Sequence, residues 1–316
     1  MPTIGAAVTR TKRLLNSNTR TELDAVHTAL TTSSDTIRLK YQTDGIRAGS
    51  YISVGDNTQG YETMYVYARN GEYATVERGV AGSAALAFTA DTSDAAVVDT
   101  AIEVEPRFSG FQILEAIRDA IRALPENLYA VDTLQTTFST TEQALSITLP
   151  SGDTNGFYHI LSATRTARTG QDRLVKFNVK VQEYDGAYTL IRQEGIEKSV
   201  TVNLTYAHPF VTGTLNLDTN LTTTLKMPVS MTDIPALGAA ASLVLSEEAG
   251  RLDLHAAGDS RGDGALNPGD RTRYSLVLQA QYDRRIGQEA RRLMAKYGIR
   301  TDSATSSVYP TSVRFR

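Results

Sequence analysis

From Tyr51 to Val54 and again from Thr63 to Arg69, bulky residues alternate with small or polar ones. That period of two is the mark of a strand with one buried face. Asn70-Gly71 follows, the dipeptide that best tolerates the positive φ of a tight hairpin turn, and the Ala74-Thr-Val-Glu77 run resumes the alternation. Arg78-Gly79 and Ala81-Gly82-Ser83 then let the chain leave the sheet. With an opening strand from Ile37 to Tyr41 and a close near Ile102-Glu-Val-Glu-Pro106, residues 36–106 read as a small β unit.

Helical spacing flanks this unit. Thr19-Arg-Thr-Glu22 has the form of a capping box, and Leu23, Val26 and Leu30 follow three and four apart. This predicts a short helix over 20–31 in an N-terminal helical segment, 1–35. Ser109 and Gln112 make a second box ahead of Leu114, Ile117, Ile121 and Leu124, with Arg118, Asp119 and Arg122 turned away and Pro125 as the stop. A helix within 107–126 is expected.

Residues 127–231 turn strongly β. Apolar or β-branched runs at 144–149, 157–161, 174–182, 189–192, 200–206 and 221–227 are separated by Ser151-Gly-Asp153, Asn155-Gly156, Thr169-Gly170, Asp185-Gly186 and Glu194-Gly195. Short strands at such spacing predict an antiparallel sandwich or barrel. A helical pair with a polar loop is expected over 232–298. Asp233 and Pro235 start its first helix, with Leu237, Ala241, Leu245 and Leu252 on one face. The second carries Leu278, Tyr282, Ile286, Leu293 and Tyr297, and Gly298 suits its C-terminal cap. Residues 299–316 have no helical period and read as an extended tail. The fold class is therefore α+β: mainly antiparallel β, as a small β unit plus a β-sandwich or barrel, with a few amphipathic helices and an extended C-terminal tail.

Composition narrows the function more by exclusion than by signature. At 316 residues the chain has room for two or three domains, and a net charge of -3 gives no bulk attraction to polyanions. Cys and Trp are both absent. Disulfides, a thiolate nucleophile and cysteine-based metal sites are thereby excluded, and the chain fits assembly in a reducing cytoplasm. The N-terminus has no basic residue ahead of its short apolar run, so no signal peptide is expected. Ala239 to Leu245 is the most apolar stretch and is short for a membrane span of about 20 residues, so no membrane partner is expected.

Reactive signatures are missing as well. His27, His159, His208 and His255 show no metal-ligand spacing, and no G-x-S-x-G, Walker A or G-x-G-x-x-G sequence is present. Asp259, Asp263 and Asp270 sit in a Gly-rich loop without the D-x-D-x-D-G spacing of a calcium loop. The Arg261-Gly262-Asp263 tripeptide is read as turn chemistry. The expectation is a protein without catalytic residues, metal or cofactor. Arg284, Arg285, Arg291, Arg292 and Lys296 make one side of the last helix basic. Beyond a merely solvated face, that side suits an acidic protein partner better than DNA. Tyr309 and Phe315, in the apolar and basic tail, are expected to meet another subunit.

The order of the β-unit segments resembles a module of tailed-bacteriophage structural proteins. There a G-x-x-I-x-V-G-(D/E) strand is followed by E-x-M-x-V, a hairpin, and T-V-x-R-G-x-x-G-(T/S). Here these are Gly49-Ser-Tyr-Ile-Ser-Val-Gly-Asp56, Glu62-Thr-Met-Tyr-Val66 and Thr75-Val-Glu-Arg-Gly-Val-Ala-Gly-Ser83. A His often follows the last segment in such proteins; Phe88 stands in that region here. The helix that starts at Arg107-Phe-Ser-Gly-Phe111 looks like segments of phage neck proteins. The resemblance implies a structural component of the virion, assembled in the host cytoplasm. Specifically, it implies a head-to-tail connector or adaptor: identical subunits in a ring, contacting portal and other neck or tail proteins, with DNA passing through without specific binding. A tail or baseplate protein is the nearest alternative. A β-sandwich carbohydrate-binding module is the next, disfavoured by the missing Trp, and a hydrolase is third.

Overall fold

The fold is described from a computed structural model covering residues 2–15, 24–25, 29–39, 46–57, 59–88, 101–104, 106–139, 143–147, 158–168, 171–184, 187–193, 199–210, 215–256 and 270–297. Its chain divides into two compact units. The first holds Met1–Ala123, Thr214–Leu221 and Val229–Arg285; the second holds Leu124–Gly213, Thr222–Pro228 and Ile286–Arg316. The first unit thus takes in the expected segments 1–35 and 36–106, most of 107–126 and most of 232–298.

In the first unit, Ile4, Ala7, Val8, Thr11 and Leu15 form the buried stripe of α1 (Ile4–Leu15). Thr11 hides in that stripe because its hydroxyl donates to Ala7 O at 2.9 Å. The N-terminal helix thus lies earlier than the 20–31 that periodicity predicts. Where that helix was expected, the described residues hold β1 (Asp24–Ala25), antiparallel to Ala101–Ile102, and Leu30, which exchanges backbone hydrogen bonds of 2.8 and 2.9 Å with Phe88. Pairing with distant strands overrides the local propensity.

The sheet runs β1-β6-β3-β4-β5-β2, every pair antiparallel, with β2 at Thr36–Arg38, β3 at Tyr51–Asp56, β4 at Gly60–Asn70, β5 at Tyr73–Glu77 and β6 at Ala101–Val104. Ile52, Val54, Met64, Val66, Ala74, Val76 and Ile102 supply one face, and Leu30, Ile37, Leu39, Ile46 and Phe88 complete that core. On the other face sits α2 (Gly110–Arg122), capped by the Ser109–Gln112 box and tied to β3 by Gly110 N donating to Ser53 Oγ at 3.2 Å. α1, α2 and α3 (Ile234–Ala256) pack against one another. The buried line of α3 is Ile234, Leu237, Ala240, Ala241 and Val244, whereas Leu245 is 59% exposed. Steps of four drift by about 40° each, so Leu245 has rotated off the face that Leu237 starts. The window Val229–Ser246 has the length and mean hydropathy, 1.4, of a membrane span, yet half of it is buried within the fold as small core residues are.

The β4–β5 hairpin pairs Asn70 with Tyr73, so its turn residues are Gly71-Glu72, one place later than Asn70-Gly71. Gly71 has φ 59°, and the described non-glycine residues with positive φ are Ala81 and Lys226, so Glu72 is not among them. Positive φ at the first central residue alone is the type II′ pattern. A Cβ on Gly71 would meet nothing within 4 Å, so Gly71→Val tests the backbone by itself. The expected loss is roughly 1–3 kcal/mol, read as a lower urea midpoint; an unchanged midpoint would remove the turn argument.

The second unit carries β7 (Ala130–Phe138), β8 (Ala144–Ile147), β9 (His159–Arg168), β10 (Gln171–Lys176), β11 (Val179–Tyr184), β12 (Ala187–Arg192) and β13 (Val200–His208). They form sheets β10-β9-β13-β7 and β11-β12-β8. Phe138, Ala163, Val202, Leu204 and Tyr206 of the first sheet share a core with Ile147, Val181 and Leu190 of the second, as in a sandwich. The run 174–182 is split between the two sheets at Phe177-Asn178, where Phe177 is buried and its N–H donates to Ala163 O at 2.9 Å. The predicted strand over 221–227 is instead turn structure from Leu221 to Thr224. Leu221, Leu225 and Met227 still bury their side chains, so spacing that resembled alternation anchors an irregular segment.

Candidate interaction surfaces

Two of the sequence segments singled out above, Glu62–Val66 and Thr75–Ser83, meet at one buried ion pair. Glu62 lies in the inward phase of β4 with a fully buried side chain, and Arg78 leaves β5 with a side chain 8% exposed. Arg78 Nε and Nη2 donate to the two carboxylate oxygens of Glu62 at 2.7 Å each. The remaining guanidinium donors reach Thr31 O at 2.9 Å, Ser34 O at 3.0 Å and Leu86 O at 2.5 Å. Glu62 also accepts from Gly79 N at 2.9 Å and Leu86 N at 2.8 Å. Every charge is matched bidentately, the geometry in which a buried Arg–carboxylate pair holds loops in place. These motif residues are structural and leave no reactive group exposed.

A different surface emerges on the solvent side of the same sheet. Tyr65 and Tyr67 alternate outward from Met64 and Val66, and a register shift between Val66 and Ala68 leaves Tyr67 and Ala68 both exposed. Tyr51 pairs across strands with Tyr65, and Tyr65 with Glu77. The rings of Tyr51 and Tyr65, and those of Tyr65 and Tyr67, lie 5.1 Å apart. Tyr51, Tyr67 and Tyr73 are 51%, 57% and 50% exposed. Tyr67 OH donates to Glu77 Oε2 at 2.7 Å, and that hydrogen bond raises the phenol's pKa. In the sequence this surface is visible as tyrosines in the outward phase of the expected strands, a pattern without catalytic signature.

The basic side of α4 (Asp270–Tyr297) is partly committed within the chain. Arg284, Arg291, Arg292 and Lys296 are exposed. Arg285 is paired within the chain: Nε and Nη2 fork onto Asp233 at 3.0 Å each, and Nη2 also donates to Ser230 O at 2.6 Å. It braces the start of α3. Arg292 approaches Glu289 at 3.6 Å, Arg291 Nε donates to Gly287 O at 3.0 Å, and Lys296 lies 4.9 Å from the Tyr297 ring centre. Tyr309, Phe315 and the loop with Asp259, Asp263 and Arg261-Gly262-Asp263 fall outside the described residues.

One cleft of about 620 Å³ opens in the first unit, lined among others by Asn57, Gln59, Tyr61, Phe111, Leu114 and Asp218. Asn57 there donates to Thr9 Oγ1 at 3.0 Å and accepts from Tyr61 OH at 2.8 Å, and Arg118 donates to Leu215 O at 2.8 Å and to Glu115. These polar groups are engaged in joining elements of the unit. Among the described residues no group of three or more His, Asp or Glu is placed to hold a metal.

In the second unit, burial lowers the pKa of His159, and His208 Nδ1 lies 2.7 Å from Pro209 O. Tyr206, 1% exposed, has its phenol pushed up to about 12 by burial, with Asp132 opposite it adding to the rise. A folded-state pKa above the ordinary value of 10.0 means stability is complete below pH 10 and falls as pH rises from 10 to about 12. The expected loss across that window is about 2–3 kcal/mol, absent from Tyr206→Phe. Urea midpoints measured from pH 9 to 12 check it; an identical decline in both proteins would assign the effect elsewhere.

No known protein-family model matches this chain, and no curated protein matches it in sequence.

Proposed function

We propose that this chain is a structural component of a tailed-phage virion: a ring-forming head-to-tail connector or adaptor in the neck, joining portal to tail and letting DNA pass. The observation that carries the reading is the Glu62–Arg78 pair. It gives a single physical reason for the E-x-M-x-V and R-G segments to occur together, as parts of one folding unit. The exposed arginines of α4 fit a protein contact. Arginine facing a lumen would hold phosphate by counterion release, whereas DNA in a neck must slide.

Negative-stain microscopy of the purified protein tests the proposal, together with antibody labelling of particles. Rings, and label at a single vertex, are the expected result. Monomers at all concentrations with no label on particles would overturn it. Glycan binding is the second reading, favoured by the cluster of exposed Tyr51 and Tyr67 around half-buried Tyr65. A glycan array separates it from the first.

A further inference from the structure

We propose that the tyrosine face of the β unit is an arginine-docking surface whose occupant is a second copy of this chain, presenting Arg284 and Arg291 from α4. The inference rests on the ring-forming reading above and supplies its subunit contact. The face is aromatic and acidic together: Tyr51, Tyr65, Tyr67 and Tyr73 are accompanied by Glu77 and Glu72 on β5 and its turn. Tyrosine rings attract cations over their faces, and a carboxylate beside the ring fixes the guanidinium by hydrogen bonds.

The sheet already carries out this chemistry once. Arg38 sits 5.9 Å from the Tyr73 ring centre while its guanidinium lies 3.1 Å from Glu72 Oε2. Glu77 with Tyr67 and Tyr65 offers the same combination, and among the described residues no cation pairs with Glu77.

On the donor side, Arg284 and Arg291 are exposed, and neither pairs with a carboxylate among the described residues. Seven residues apart, they share one side of the helix and stand about 10.5 Å apart along its axis. The row Tyr51–Tyr65–Glu77 crosses two strand spacings, about 9.6 Å. Two arginines of one helix therefore match the row in reach, one meeting the Glu77 carboxylate and the other the Tyr51 ring. Because the donor and acceptor patches differ, the contact is heterologous, and repetition of such a contact closes a ring when the rotation allows.

Sedimentation velocity of the full chain, with circular dichroism and thermal melts as folding controls, tests the contact. Glu77→Arg combined with Tyr67→Ala, and separately Arg284→Glu with Arg291→Glu, should each weaken self-association at least tenfold while leaving the melt unchanged. Combining Glu77→Arg with Arg284→Glu and Arg291→Glu should recover part of that loss. Rings that form equally well in both altered proteins would overturn this contact and leave the neck proposal standing. A wild-type chain that stays monomeric would overturn both. Self-association untouched by Tyr67→Ala while array-bound glycan is lost would assign the face to carbohydrate and overturn the inference.

Discussion

Replacing Arg78 with methionine should lower the stability of the first unit by about 3–5 kcal/mol, the usual cost of leaving a buried charge without its partner. Glu62 is fully buried and takes both of its salt-bridge donors from Arg78 at 2.7 Å. Methionine approximates the volume of the arginine stem and supplies none of the donors that reach Thr31, Ser34 and Leu86. Three carbonyls then lose a partner along with the carboxylate. Glu62→Met should cost a comparable amount, because Gly79 N and Leu86 N lose their acceptor. The double substitution should cost clearly less than the sum, since it leaves no lone charge. Urea unfolding of the four proteins gives the cycle. A cost below about 1 kcal/mol for Arg78→Met, or strict additivity, would show that the pair does not hold the unit together.

Gly55→Ala should be as damaging, at about 4 kcal/mol or more, and soluble protein is not expected in good yield. Gly55 has φ 129°, a region that side chains exclude, and it pairs with Tyr61 next to the Asp56–Gly60 pair that closes the β3–β4 turn. A Cβ there would lie 1.9 Å from Gly60 O and 3.0 Å from Tyr61 Cα. Both obstacles are backbone, so no rotamer change relieves them, and the strands must separate. For a unit of this size the loss corresponds to roughly 10 °C or more in Tm. A melt within about 2 °C of the unaltered protein would contradict the close approach.

Period-two alternation along 51–54 and 63–69 was sufficient to place β3 and β4, because a half-buried sheet separates inward Met64 and Val66 from outward Tyr65. The Ser109–Gln112 box located the start of α2 for an equally local reason: both of its hydrogen bonds span three residues. Turn residues between β-branched runs announced the antiparallel sandwich, and with it the α+β class. Function was less legible, because Gly49–Asp56, Glu62–Val66 and Thr75–Ser83 are built mostly from strand, turn and ion-pair residues, and the Tyr51, Tyr65 and Glu77 they turn outward form one surface only after the strands pair.

Tertiary structure decided what depends on partners distant in the chain. Asp24–Ala25 is a strand because Ala101–Ile102 is available to pair with it, and no local pattern encodes that neighbour. Register with Tyr73 moved the hairpin turn to Gly71-Glu72, since pairing fixes which residues remain as loop. Asp233, 52 residues away in sequence, takes Arg285 into an ion pair that no local pattern encodes. The tyrosines of β3, β4 and β5 became one surface only when their strands came together, placing Tyr51, Tyr65 and Glu77 in one row. Local sequence determines which face of an element is apolar, through the geometry of strand and helix; which other element covers that face, and which outward face stays uncovered, is settled by the competition among all the apolar faces for burial.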